Sequence, residues 1–245
     1  MRVEWPRDAD ALDAEQRRLA ALTPDPWRPV HEDAPLATVT VAGCFLAFAR
    51  GEQGPGHAGD HGWAAAALVA AGSGPTRASV CVPCRAGAAY DPGRLALREG
   101  PCLASAIAAL PEEPTLLMVD ATGRDHPRRA GLALHLGAFL DIPSVGVTHR
   151  PLVASGPEPA AEAGVSPLLL DGEVVGAWVR TKAGVRAVAV HAGWRTDVQT
   201  AVAIVLACSG GARTPEPLRR ARVLARTTRA HAEGRTTQPW RHPLQ

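Results

Sequence analysis

Three apolar runs follow one another with no helix-period segment between them, and no other feature restricts the fold as strongly. They are 36-LATVTVAGCFLAFA-49, 63-WAAAALVAA-71 and 78-ASVCVPC-84. Gly/Pro-rich loops separate them, so the set reads as an antiparallel meander. Residues 94–110 then carry a helical pattern interrupted by Gly100-Pro101, which predicts an irregular first turn. The run 115-TLLMVD-120 is short, apolar and ends on an acid, as a buried central strand does. Next come a helix over 128–140, a strand 144-SVGV-147, and a hairpin of 168–170 and 173–181 about the Asp171-Gly172 turn signal. A strand over 186–191 and helices over 196–208 and 215–229 complete the order. Ahead of the meander, residues 10–22 have helical spacing with Asp10 as the expected cap, stopped by Pro24 and Pro26. A meander followed by alternating helices and strands implies an α/β fold with a mixed sheet flanked by helices. One domain is expected over residues 1–230, with a disordered basic tail over 231–245.

With 46% hydrophobic and 20% charged residues the chain has the material for a core and is not globally disordered. No apolar run approaches the ~18 residues of a membrane span. The first 22 residues are charged throughout and lack a signal-peptide core. A cytoplasmic protein without a membrane partner is therefore expected. Five cysteines, at 44, 81, 84, 102 and 208, form no dense framework and read as reduced thiols. Cys81-Val82-Pro83-Cys84 is a CxxC with no second ligand pair for zinc, leaving a redox pair or two thiols at a strand end. The net charge of +2 says little, but its distribution says more. From Arg213 to Arg241 eight Arg face only Glu216 and Glu233. That basic end fits a nucleic-acid contact and equally a solvated helix face.

Three features carry chemistry. In 90-YDPGRLALREGP-101 a Tyr precedes a Pro-Gly turn and an Arg-Glu pair enters a helix. In 116-LLMVDATGRDHPRRAGLALHLG-137 a strand ends on Asp120, and a Gly-containing loop leads to His126-Pro127-Arg128-Arg129. An acid at the C-terminal end of a central strand lies in the crevice where open α/β sheets bind ligands. Glu99, on the preceding helix, is placed to meet Asp120 across that crevice. Two carboxylates near a phosphate-binding loop suit Mg²⁺, which takes one or two protein carboxylates with waters and phosphate oxygens. The local alternatives are an ion pair of Glu99 with Arg98 and a loop cap at Asp120.

These stretches resemble the endonuclease V family, as do IPSVGVTHRPL, the DGEVVG…VRTK hairpin and PEPLRRA, together spanning Trp5 to about Arg229. The resemblance implies a ribonuclease-H-like fold. It also implies a Mg²⁺-dependent endonuclease (Mn²⁺ as substitute) of DNA repair that cuts 3′ to deoxyinosine in DNA, or to inosine in RNA. By position, Glu99 and Asp120 match two metal-binding carboxylates, and His126 would position the water as a third catalytic residue. Tyr90, Pro92 and Gly93 match a wedge that inserts where the base turns out, the only Tyr of the chain filling the gap. Gly123 and Gly131 match the base-pocket loop. Arg98, Arg128 and Arg129 are taken as substrate-side groups, the last two suited to bidentate phosphate contact.

Three positions depart from the family. Its first strand reads Ala-Gly-Val-Asp, with the Asp a metal ligand, where this chain has Ala42-Gly43-Cys44-Phe45. Its Gly-Val-Ala-Lys becomes Gly146-Val147-Thr148-His149, and its Gly-His becomes Gly193-Trp194. Asp197 at a helix start is the candidate third metal ligand, with favourable placement at a helix dipole as the alternative. His191 is a further candidate, and His57, Asp60 and His61 form a ligand-like trio in a Gly/Pro-rich loop. Loss of one carboxylate removes enough metal positioning to cost ~10³-fold or more in rate. The expectation is therefore a weakened nuclease, with a non-cutting inosine binder as the alternative.

Overall fold

The computed structural model describes residues 5–28, 39–51, 56–72 and 74–235; the expected tail falls outside it beyond Arg235. The elements run α1 (Ala9–Ala20), β1 (Thr40–Phe48), β2 (His61–Ala70), β3 (Thr76–Arg85), α2 (Leu95–Ala108), β4 (Leu116–Val119) and α3 (Leu132–Leu140). They continue with β5 (Ser144–Thr148), β6 (Gly164–Leu170), β7 (Glu173–Arg180), β8 (Val188–Ala192), α4 (Val198–Ser209) and α5 (Glu216–Ala232). All eight strands share one mixed sheet in the order β3-β2-β1-β4-β5-β8-β7-β6. The meander is antiparallel as its spacing predicts, and β4 and β5 run parallel to β1. The Asp171-Gly172 turn has φ of 52° and 81°, the paired positive values that a two-residue hairpin turn needs.

Alternation along β1 sorts the two faces. Ala42, Cys44 and Leu46 pack with Leu103 and Ile107 of α2 and with Leu132 and Leu136 of α3. On the other face Val41 meets Leu218 and the α4 residues Ile204 and Val205, while Ala47 and Phe45 meet Ala225 of α5. Gly43 lies on this second face, where a Cβ would come within 2.2 Å of the Pro217 carbonyl carbon. The missing side chain lets the start of α5 rest directly on β1, which aims the next turns of α5 at the C-terminal end of that strand.

Several boundaries differ from expectation, among them β6, which begins at Gly164 and not at residue 168. Asp8, not Asp10, caps α1, accepting from the Ala11 N–H at 2.8 Å. The helix expected over 128–140 starts only at Leu132, because Arg129 is in the left-handed region (φ 55°) and ends a tight loop. The basic tail expected from residue 231 is helical to Ala232, since α5 runs on to a C-terminal turn closed by the Glu233 N–H on Arg229 O at 2.9 Å. The helix expected to be irregular at Gly100-Pro101 runs unbroken, with Trp5 filling the space above Gly100 that a side chain would take.

Burial holds His126, His135 and His191 neutral, each pushed down to about 4. Below pH 6.5 the unfolded chain takes up protons that the folded chain refuses until about 4, so stability falls as pH drops across that window. Melting midpoints should decline from pH 7.5 to pH 5. His135 is fully buried with neither ring nitrogen hydrogen-bonded, and it packs 4.7 Å from Trp5. His135→Leu should melt no lower than the parent at pH 7.5 and lose less at pH 5, because an unpaired buried polar group is removed. A lower midpoint at both pH values would contradict this.

Candidate nucleic-acid site

The register places Cys44 opposite Val119, so Phe45 and Asp120 come next on neighbouring strands. Period-two alternation puts Phe45 on the face of Gly43 and Asp120 on the face of Met118, the face covered by α5. Arg222 of α5 reaches down to this point and donates from Nη2 to Asp120 Oδ2 at 2.7 Å. Its guanidinium carbon lies 5.1 Å from the centre of the Phe45 ring, and that of Arg226 lies 5.5 Å from the same ring. Phe45 therefore does more than remove a carboxylate: its π face accepts two cations. Glu99 comes from α2, close enough for its charge and that of Asp120 to oppose each other. Burial pushes Glu99 up to about 7, Arg98 pulls it down in part, and Asp120 adds to the rise. His149 follows β5 within electrostatic reach of Asp120 and Arg222; partial desolvation and then Arg213 hold its imidazole below the ordinary range.

These residues do not fit a divalent metal ion. Mg²⁺ needs ionised oxygen donors around an octahedron. Here one Asp120 oxygen is bonded to a guanidinium, and an apolar ring stands at the third position. Among the described residues no three His, Cys, Asp or Glu side chains gather closely enough to hold a metal. Asp197 does not join Glu99 and Asp120: it caps α4 through the Thr200 N–H at 2.7 Å and pairs with Arg28 at 2.5 Å. The helix-start alternative is the one the geometry follows. His191 is buried against Asp125 and Thr148. In the loop trio, Asp60 accepts from the His57 N–H at 2.8 Å and from Arg98 at 2.7 Å, so it is spent on holding its own loop.

Beside this centre opens a cleft of about 230 Å³ lined by Tyr90, Gly93, Leu95, Asp120, His126 and Leu152, among others. Tyr90 stands at its rim, 47% exposed. Gly93, in the left-handed region at φ 78°, turns the Tyr90 loop toward the cleft and aims its carbonyl at two donors. His126 Nε2 lies 3.0 Å from that carbonyl, while Nδ1 accepts from the Arg128 N–H at 3.2 Å. Both ring nitrogens are thus engaged, and His126 pins one loop to another. Arg128 is equally committed, donating to Gln16 Oε1 at 2.6 Å and Gly93 O at 2.8 Å and pairing with Asp13 at 3.1 Å. Arg94 pairs with Asp13 and Asp91 at 2.9 and 2.7 Å, which completes a brace from α1 to the Tyr90 loop.

Several expected substrate groups are engaged by other parts of the protein. Arg98 is 4% exposed, bonded to Asp60, His57 O and Ala88 O, and stacked 4.1 Å over Phe48. Arg129 holds the β6–β7 hairpin through Asp171 at 2.8 Å and Glu173 at 3.0 Å. Gly123 and Gly131 do not line the cleft; a Cβ would strike Ala192 O at 1.9 Å and Thr122 O at 2.3 Å respectively, so they allow close backbone passage beneath it. Pro92 is exposed on the Tyr90 loop. Trp194 packs with Leu19 and Leu134 and donates to Asp141 at 3.2 Å. Cys81 and Cys84 stand three apart on a strand and so face opposite ways; Cys84 packs against the α2 side, where the Cys102 thiol donates to Arg85 O at 3.2 Å.

Two important residues escaped the sequence reading. Asp125, fully buried, accepts from the N–H groups of Leu152, Val153 and Ala154 at 2.7 to 2.8 Å and so holds the cleft wall. Its signal was an acid beside His126-Pro127 in a loop. Arg222 was visible only as one of many arginines.

A model of the Endonuclease V family matches residues 29–223. Endonuclease V of Roseiflexus castenholzii is 36% identical over 230 residues, 90% of this chain and 93% of that protein. The crystal structure of endonuclease V from Streptomyces avermitilis superposes with a TM-score of 0.80 at 33% identity, covering 94% of this chain and 96% of that one. Ciona intestinalis endonuclease V, solved with a 24mer DNA containing an inosine followed by a ribo-adenosine, shares the fold at TM-score 0.74 and 19% identity, over 91% of this chain and 98% of that one. Matching sequence along nearly the whole length, on the same fold, makes this chain a member of the endonuclease V family.

Proposed function

We propose that this chain binds inosine-containing DNA, and its RNA analogue, without cutting it through a metal ion. The observation that carries this reading is the contrast between two adjacent halves of the site. The cleft and its exposed Tyr90 are braced by His126, Arg128 and Asp13, as a base pocket with a wedge requires. Next to it, Arg222 and Phe45 take up the space and the carboxylate that Mg²⁺ needs. An extruded base would enter the cleft while the Tyr90 ring fills the gap it leaves, with binding energy from stacking and phosphate contacts. Neither step needs a metal.

Weak Mg²⁺- or Mn²⁺-dependent incision 3′ to inosine is the second reading, favoured by the proximity of Glu99 and Asp120. Anisotropy and gel assays on single-inosine DNA and RNA strands, in EDTA, Mg²⁺ and Mn²⁺, separate the two. The expected result is at least ~10-fold preference over the adenosine strand in EDTA, lost in Tyr90→Ala, with intact strands throughout. A metal-dependent cut near inosine that disappears in Glu99→Ala would establish the second reading instead.

A further inference from the structure

We propose that Arg222, with Arg226 beside it, is a phosphate-binding site that replaces the divalent ion: Asp120 holds Arg222 in the free protein, and a strand phosphate takes it over in the complex. This rests on the binding function proposed above and names the group that grips the backbone. The geometry supplies each part. Arg222 spends one nitrogen, Nη2, on Asp120, and its buried Nε has no partner, so most of its donor fork is unused. The Phe45 ring has both guanidinium carbons within 5.5 Å of its centre and neutralises neither. The other arginines of this helix are taken: Glu216 pairs with Arg219 and Arg220, and Arg229 donates to Phe48 O at 3.0 Å. No acid among the described residues pairs with Arg226.

The placement fixes the ligand chemistry. Asp120 forms part of the cleft wall, so a strand whose base enters the cleft brings its backbone past Arg222. A phosphodiester offers two oxygens in the spacing that a guanidinium fork matches, whereas Asp120 engages only one nitrogen. Exchange of Asp120 for phosphate is then a gain in bonds. The arrangement also gives Asp120 a sign opposite to that of a metal ligand, because it competes with the phosphate and does not recruit it.

The test is a binding cycle on the full chain with a single-inosine oligonucleotide in EDTA. Its partner strand carries neutral methylphosphonates at the two linkages 3′ to inosine. Arg222→Gln should weaken binding of the natural strand by about 10-fold or more and lower the log–log salt slope by about 0.7. On the methylphosphonate strand the same substitution should cost little. Asp120→Asn should tighten binding of the natural strand by up to about 5-fold, since the competing ion pair is gone. Inorganic phosphate should compete only at concentrations far above the oligonucleotide. Melting curves of each variant report whether the fold is kept. Equal losses for Arg222→Gln on both strands, or weaker binding in Asp120→Asn together with Mg²⁺-enhanced binding of the parent, would overturn the proposal. If the parent does not bind inosine strands at all, the underlying function fails, a result distinct from either.

Discussion

The double substitution Phe45→Asp with Arg222→Gln should create a divalent-ion site that the parent lacks. It adds one anion and removes one cation within reach of Asp120 and Glu99, a change of two charge units around the same point. A unit charge about 5 Å from a divalent ion is worth several kcal/mol even at an effective dielectric of about 20. Mn²⁺ should therefore bind at least ~100-fold more tightly than to the parent, about 2.7 kcal/mol, by calorimetry or by loss of the free-ion paramagnetic signal. Metal-dependent nicking of an inosine strand should rise with it, by ~10³-fold or more where the ion is positioned well. Phe45→Asp alone should do little, because Arg222 and Arg226 already stand over that position and would pair with the new carboxylate. If the single substitution binds Mn²⁺ as well as the double, Arg222 is not the obstacle. Additional Glu99→Ala in the double variant should abolish the gain, since Glu99 supplies the other carboxylate.

Asp125→Ala should be the most damaging single change away from that centre. It strands three N–H groups, at Leu152, Val153 and Ala154, that now share one buried carboxylate, with the His191 ring 3.6 Å away. Hydrogen bonds to a charged group are worth about 1.5–3 kcal/mol each, and removing one partner of a buried network costs about 3–5 kcal/mol in total. For a domain of this size that is a fall in Tm of about 10 °C. Because Leu152 and its neighbours Arg150 and Pro151 wall the cleft, inosine affinity should fall alongside stability. Asp125→Asn keeps an oxygen acceptor for two of the three donors and should lose less on both readouts. A melt within about 1 kcal/mol of the parent for Asp125→Ala would show that the loop is held by something else.

The elements were legible because their causes are local. Period-two runs, Gly/Pro breaks and the Asp171-Gly172 pair each act over a few residues, and the antiparallel meander and the hairpin they predict both form. The family resemblance likewise located Glu99, Asp120 and the Phe45 departure, since these sit inside contiguous motifs. Helix starts were less legible: Asp8 and Asp10 are both acids at the head of α1, and only the backbone turn decides which one caps it.

What each charged side chain does was decided by the tertiary structure alone. Arg128 looked like a phosphate ligand, yet Gln16, 112 positions earlier, claims it. Arg98 looked like part of a catalytic motif, yet Asp60 draws it into the core, 38 positions away. Arg222 looked like one arginine of a basic helix, yet the bare backbone of Gly43 lets that helix settle so low on β1 that it meets Asp120 across 102 positions. A long cationic side chain has many partners within reach of its residue type, and its energy depends on which acid lies within ~4 Å and how much water is excluded there. The strands, the family and the missing carboxylate are therefore legible along the chain. Chain packing decided that Arg222 faces Asp120, because only folding brings those charges to contact distance.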